Sequence, residues 1–472
     1  MLRKNIDLKI DPADPFAEDC LARLPQIETL TVLAQSTTQP FVVSVEAPWG
    51  RGKTTFLRMW KAYLETQGHV CLYFNAWEND FIDDPLTAFI GEMDAALTVV
   101  LANADADSPM RTRWAAVRRL GGGVLRKALP IGIQVATQGL LRQQVVKDAI
   151  GGFAETSGDV AKFAAEAAAK RLESYQAERE GIDAFRKNLA GLAMDVVEEG
   201  NGKAPVVFFI DELDRCRPDF AIALLERVKH LFNVEGIFFV LGIDRDQLAH
   251  SVRALYGAGM DAGGYLRRFI DLAYTIPTPE ARAFCQFLSN RFELEKFFQS
   301  RPSLSAYGVE LLDWFGRLAE LKGLGLREIE QSFTGINLVL RMSPPGLEPH
   351  IGLLALLVTV KTVDPELYRS LADGNAELDA LIAYVRPFGN LQYEALVEAA
   401  FICDVLPERE QDRQLNAWDQ LVETTRMEGR GQTDESVRAA ARLNWVRKFR
   451  DRHVSRPIRS VIAQLNLTSD FS

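Results

Sequence analysis

The residues best suited to chemistry lie in two groups far apart in the chain. The first, Ala47-Pro48-Trp49-Gly50-Arg51-Gly52-Lys53-Thr54-Thr55, fits the template GxxxxGK[ST] at every fixed position except the first, where alanine stands for glycine. Glycines at 50 and 52 let a loop fold back so that its backbone N–H groups point inward at phosphate oxygens, reinforced by the positive end of a following helix. In that setting Lys53 bridges the β and γ phosphates of a nucleoside triphosphate, ATP being the expected one, and the Thr54 hydroxyl ligates Mg²⁺. Ala47 tolerates most loop conformations but disfavours positive φ. The bland alternative is a plain strand-to-helix turn.

The second group is Asp211-Glu212-Leu213-Asp214-Arg215, directly after the apolar run Val206 to Ile210. Asp211, at a strand end, is placed to hold the water shell of Mg²⁺. Glu212 follows and can orient or deprotonate an attacking water; acids stabilising a helix N-terminus are the alternative. Arg215 either pairs with Asp211 or Asp214 or faces a neighbouring subunit as an arginine finger, a role also open to Arg267 and Arg268. Asp244 either senses the γ-phosphate or caps the helical segment Arg245 to Leu255.

These groups need elements to hold them. Residues 1–40 form a leader that contains Glu18-Asp19-Cys20-Leu21-Ala22-Arg23 and a helical stretch through Leu30 and Leu33. Four apolar runs of strand length follow: Phe41–Glu46, Val70–Asn75, Pro205–Asp211 and Gly236–Asp244. With helices between them, they predict an α/β fold whose parallel sheet carries its chemistry at the C-terminal strand ends. Lys53 and Asp211 are 158 positions apart, whereas a strand-helix-strand unit needs roughly 30 residues. The expected organisation is therefore a leader and first core part at 1–83, a helical insertion at 84–200, a second core part at 201–280 and an all-helical region at 281–472.

At 472 residues, with 47% hydrophobic and 25% charged residues, the chain can bury large cores, and its formal net charge of -10 argues against polyanion binding over the whole surface. The five cysteines have no metal-ligand spacing and read as reduced thiols. The N-terminus has no apolar signal region, so a cytoplasmic address is expected. The stretch Ala128–Leu141 is uncharged for 14 residues, short of the roughly 20 a helix needs to span a bilayer. Arg111–Lys127 holds six basic and no acidic residues beside Trp114, Val117, Leu120 and Leu125. It suits either a helix lying on an anionic membrane, which would make the protein peripheral at the inner membrane, or a solvated helix packed on the core. Arg438–Arg459 carries eight basic residues with Trp445 and Phe449 interleaved, a pattern open to nucleic-acid backbone binding or to docking on acidic partners within the fold.

Several stretches together resemble the KAP family of P-loop NTPases. They are Ala47 to Thr54, Tyr73-Phe74-Asn75-Ala76-Trp77, Asp211 to Cys216, Gly242-Ile243-Asp244-Arg245-Asp246-Gln247-Leu248 and Tyr265-Leu266-Arg267-Arg268-Phe269-Ile270, followed by Pro277-x-Pro279. The resemblance runs from about residue 11 to about residue 345. It implies a P-loop NTPase sheet flanked by helices, in which Ala47 to Thr55 with Asp244 contact ATP, Thr54 and Asp211 hold Mg²⁺, and Lys53, Asp211 and Glu212 carry hydrolysis. Such proteins usually have aspartate where Glu212 stands and glycine where Ala47 stands. They often place membrane helices in the insertion, and members occur in bacterial phage-exclusion systems. The resemblance thus implies an ATP-driven conformational or assembly switch, through self-association or a partner effector, in anti-phage defence. A non-hydrolysing nucleotide-bound scaffold and a membrane-surface organiser are the rival readings. In related ATPases a lid arginine also reaches the γ-phosphate, a place Arg327 could take.

Overall fold

A computed structural model describes residues 10–102, 105, 107–123, 157–199, 202–231, 233–346, 348–427, 433–451 and 454–469. The chain divides into two compact units, one within Leu8–Pro277 and one within Thr278–Ser472.

The first unit is built on five parallel strands, β1 (Phe41–Glu46), β2 (His69–Asn75), β3 (Lys203–Asp211), β4 (Ile237–Ile243) and β5 (Leu272–Thr275), in the order β2-β3-β4-β1-β5. Every residue of β4 and the last seven of β3 are buried, as expected of strands covered on both faces. Alternation sorts their side chains to two cores. Phe208 and Phe239 stack at 5.2 Å on one face, whereas Phe209 and Phe238 meet Trp60 edge-on from the other. The fifth strand corrects the expectation of four. Leu272-Ala273-Tyr274-Thr275 is a short edge strand paired on one side and largely exposed, so it has none of the apolar run that marks a buried strand.

Around the sheet lie α1 (Leu24–Ser36), α2 (Lys53–Thr66), α3 (Pro85–Ala102), α4 (Pro109–Gly123), α5 (Ser157–Glu199), α6 (Pro218–Leu231), α7 (Arg245–Tyr256) and α8 (Ala262–Leu266). The described part of the insertion is helical, and it is not a separate body. Phe89, Met93, Trp114, Phe185 and Leu189 share one core with Phe208 and Phe239 of the sheet. The described part of the basic stretch Arg111–Lys127 fits the alternative of a helix packed on the core. Trp114 and Val117 are 1% and 0% exposed, so its apolar side is spent inside the unit, and Arg113 pairs with Asp195 at 2.8 Å. Leu125 and the uncharged stretch Ala128–Leu141 lie outside the described residues.

The second unit is helical throughout its described residues: α9 (Ala281–Arg291), α10 (Leu294–Gln299), α11 (Tyr307–Lys322), α12 (Leu326–Met342), α13 (Ile351–Val363), α14 (Pro365–Asp373), α15 (Leu378–Val385), α16 (Leu391–Val405), α17 (Glu408–Met427), α18 (Asp434–Asp451) and α19 (Pro457–Ser469). Helix α13 is apolar on every side, with Ile351 to Val360 buried, and is packed by α11, α12, α14 and α19. A helix apolar all round belongs at the centre of a large core. Among the described residues no helix is long and apolar enough to cross a membrane.

The basic C-terminal stretch shows the docking that its composition left open beside nucleic-acid binding. Arg438 pairs with Glu394 at 2.8 Å, Arg442 with Glu398, Arg447 with Asp419 at 3.0 Å and Arg450 with Asp412 at 2.9 Å. Phe449 is buried and Trp445 packs against the same core. These cations hold α18 against α16 and α17, so four of them are committed inside the fold. Arg452 lies outside the described residues.

Candidate nucleotide site

The register gathers the site. Asn75 lies beside Asp211 and Asp211 beside Gly242, while Glu46 lies beside Ile243. The residues that end four neighbouring strands therefore stand in one row at the C-terminal edge of the sheet, where open α/β sheets bind ligands. A side chain at 242 would force its neighbours to shift. A Cβ there would press on the Leu57 side chain and sit 2.7 Å from Asp211 Oδ1.

From that row β1 leads into the loop Ala47–Gly52, whose first N–H donates to the Ile243 carbonyl at 3.3 Å. Gly50 and Gly52 take φ of 76° and 83°, the left-handed conformation that glycine adopts without steric cost. Ala47 is not among the positive-φ residues, so alanine fits this position without strain. Helix α2 begins at Lys53, and Thr54 and Thr55 lie half-buried in its first turn. Pro48 and Arg51 complete the loop, Pro48 being exposed.

The Lys53 ammonium donates to the Ala47 carbonyl at 2.6 Å. Burial pushes its pKa down, while Asp214, then Asp244, then Asp211 pull it back up. Asp211 is fully buried. Its Oδ2 accepts from the Tyr73 hydroxyl at 2.7 Å and its Oδ1 from the Glu212 N–H at 2.8 Å. Glu212 has φ 59°, a strained conformation for a residue with a side chain and one that recurs at functional sites. Burial raises the Glu212 carboxyl above its ordinary range; Arg215 lowers it, Asp211 raises it and a hydrogen bond with Asn75 lowers it.

Arg215 has a different partner from either acid expected for it. Its guanidinium pairs with Glu212 at 2.6 Å and lies 5.5 Å over the Trp77 ring. The turn Leu213–Arg215 brings i and i+3 together, which the sequence spacing alone left open. Asp244 is a helix cap. Its Oδ1 accepts from the N–H groups of Asp246 and Gln247 at 3.2 and 3.3 Å. The sheet edge thus brings together the loop, Asp211, Glu212, Asp214 and Asp244. Arg267 and Arg268 are exposed, Arg267 lying 4.0 Å from Asp261. Arg327 is exposed on α12 of the other unit.

Sequence reasoning gave Arg23 no role. It is 5% exposed, and its guanidinium donates to the carbonyls of Gly52 at 2.9 Å and Arg51 at 3.3 Å. The leader therefore props the phosphate loop from behind, with the Arg23 N–H held by Asp19 at 2.6 Å. The acid-to-arginine spacing of the leader was visible, but its target 28 residues away was not.

The sequence profile of the KAP family P-loop domain matches residues 24–307. The chain belongs to the KAP family of P-loop NTPases. The matched span is narrower at both ends than the resemblance read from the residues. No curated protein matches the chain. Among solved structures it is similar to the ORC2 protein of Aeropyrum pernix, determined as ADPNP-ADP complexes, at 11% identity over 100% of this chain and 98% of that one. The TM-score is 0.33, too low to carry an argument. In this KAP protein the glycine-bent loop and the acids after β3 lie within the span that the family profile matches.

Proposed function

We propose that this KAP protein binds ATP with Mg²⁺ and hydrolyses it to drive a conformational or assembly switch. The observation that carries the reading is the convergence at one sheet edge of the Lys53 loop with Asp211 and Glu212, elements separated by more than 150 residues. The donor set suits the metal. Thr54 and Asp211 offer hard oxygen atoms, and each Asp211 oxygen already held by one hydrogen bond keeps a lone pair for a metal-bound water. When bound there, Mg²⁺ would neutralise charge on the β and γ phosphates.

The chain's own residues supply the rest. The loop N–H groups and the first turn of α2 cradle phosphate oxygens, and Lys53 exchanges the Ala47 carbonyl for the bridge between β and γ phosphates. Water attacks the γ-phosphorus, the new O–P bond forms as the bond to the β-bridging oxygen breaks, and the water's proton passes to Glu212. A carboxyl raised by burial is a stronger base than an exposed one, which suits it to that proton. Arg215 holds Glu212 in this structure, so turnover requires that pair to loosen.

Glu212→Gln tests the enzyme reading. We expect it to bind ATP as wild type does while phosphate release falls at least about a hundredfold. Equal rates in the two proteins, with ATP bound to both, would leave a nucleotide-stabilised scaffold. On the family resemblance we place the cycle in anti-phage defence, acting by self-association or through a partner effector. Phage plating on cells carrying wild type or Lys53→Ala checks the first, and particle size with a non-hydrolysable ATP analogue checks the second.

A further inference from the structure

Asp214 takes no part in the chemistry above, yet it is 6% exposed, and its Oδ1 is buried with no hydrogen-bond partner. Its Oδ2 accepts a hydrogen bond from the Trp49 indole Nε1. Trp49 is in the middle of the phosphate loop and is 50% exposed. Half of this large side chain stays in water, and its indole N–H is held by a charge-assisted hydrogen bond, roughly twice as strong as a neutral one. The bond spans two segments 165 residues apart, joining the loop after β1 to the turn after β3. Among the carboxylates around the Lys53 ammonium, Asp214 also exerts the largest attraction.

We propose that Asp214 is a positioning residue of the nucleotide site, fastening the phosphate loop through the Trp49 indole so that its N–H groups are preset for phosphate. The proposal rests on the nucleotide reading and adds a fastener to it. Gly50 and Gly52 give the loop its bend and leave it free to take other bends. Arg23 props its carbonyls at residues 51 and 52, and Trp49 with Asp214 holds the segment before them. A loop held in the binding conformation spares ATP the cost of ordering it, so the effect falls on affinity more than on turnover.

The experiment uses the full chain and three variants, Trp49→Phe, Asp214→Ala and Asp214→Asn. Asparagine keeps an oxygen that accepts from the indole, whereas alanine and phenylalanine each break the bond. We expect Trp49→Phe and Asp214→Ala to raise the Kd and KM for Mg·ATP about threefold to tenfold with kcat within twofold, and Asp214→Asn to bind at least as tightly as wild type. Without nucleotide, the emission component lost in Trp49→Phe should move to the red in Asp214→Ala and stay in place in Asp214→Asn. That spectrum reports the fastener even if ATP binding itself fails. If Asp214→Ala does not fold, Trp49→Phe, a change in an exposed loop residue, decides by its affinity. An unmoved emission component in folded Asp214→Ala, unchanged affinity in Trp49→Phe, or Asp214→Asn as weak as Asp214→Ala would overturn the proposal.

Discussion

The helical unit and the candidate site at the sheet edge bury charged side chains in opposite ways. In the helical unit buried acids meet partners that satisfy them. Glu394 and Glu398 each receive an arginine from α18, Glu348 takes Arg301 and the Gly346 N–H, and Asp404 accepts the first N–H groups of α19 at 2.7 and 3.0 Å. In the sheet unit Lys53, Asp211, Asp214 and Glu212 crowd one edge around a lysine that has only a backbone carbonyl as its hydrogen-bond acceptor, a carboxylate oxygen with none, and a glutamate in a strained backbone conformation. Paired charges fix the geometry of a fold. Crowded ones, with shifted ionisation, are the pattern that marks a candidate functional site.

The largest expected effect attacks the crowded edge through its packing. Gly242→Ala places a methyl against Leu57 and Asp211 Oδ1 and should cost about 3 kcal/mol of stability by overpacking, lowering the melting temperature and weakening ATP binding together. Gly257→Ala is no equal control, because φ there is 99°; Gly91, with open space around it, should tolerate alanine. If Gly242→Ala melted and bound like wild type, the edge would be looser than described.

The helical unit should respond differently. Glu398→Ala leaves Arg442 without its carboxylate in a largely buried place and should cost about 2 kcal/mol, with the Kd for ATP unchanged once the protein is folded. A matching loss of affinity would erase the contrast between the units.

A smaller effect comes from Asp404, whose carboxyl burial pushes up to about 6 despite its hydrogen bonds to Arg459 and Ile458. The folded state then binds more protons than the unfolded state between the ordinary aspartate range and pH 6, so this group's contribution to stability falls as pH rises through that window. Asp404→Asn keeps an acceptor for the helix N-terminus and removes the titration. Its stability relative to wild type should rise from pH 4 to pH 6 by on the order of 1 kcal/mol, read by urea unfolding; a flat difference would show Asp404 ionising normally. The mildest effect concerns Arg215, which lowers the pKa of Glu212. Arg215→Ala should move the acid limb of the kcat profile to higher pH, because a base must shed its proton to act. A limb that stays in place would separate the ion pair from the chemistry.

Much of this was legible in the residues. The four long strands were visible because buried parallel strands read as unbroken apolar runs, and the loop at 47–55 because its glycines and lysine have fixed spacing. The edge strand Leu272–Thr275 was not, since an exposed element carries no such run. The placement of a site residue was legible where spacing fixes it, as for Lys53 at the start of α2. It was not where a partner is chosen in three dimensions. Arg215 faced several acids on paper and took Glu212, and Asp244 fitted two tasks and caps α7. The basic stretch at 438–459 stayed open between two readings for the same reason, because composition records charge and not whether each charge is already answered.

The central claim is that the glycine-bent loop and Asp211 together hold a magnesium-bound triphosphate. Titration calorimetry of the folded full chain with Mg·ATP tests it most directly, beside Lys53→Ala as the matched control. The account predicts one ATP per chain for wild type and affinity weakened by at least about a hundredfold in the variant, the loss of a charge-assisted phosphate contact. Binding of equal strength in both, or none in folded wild type, would contradict it.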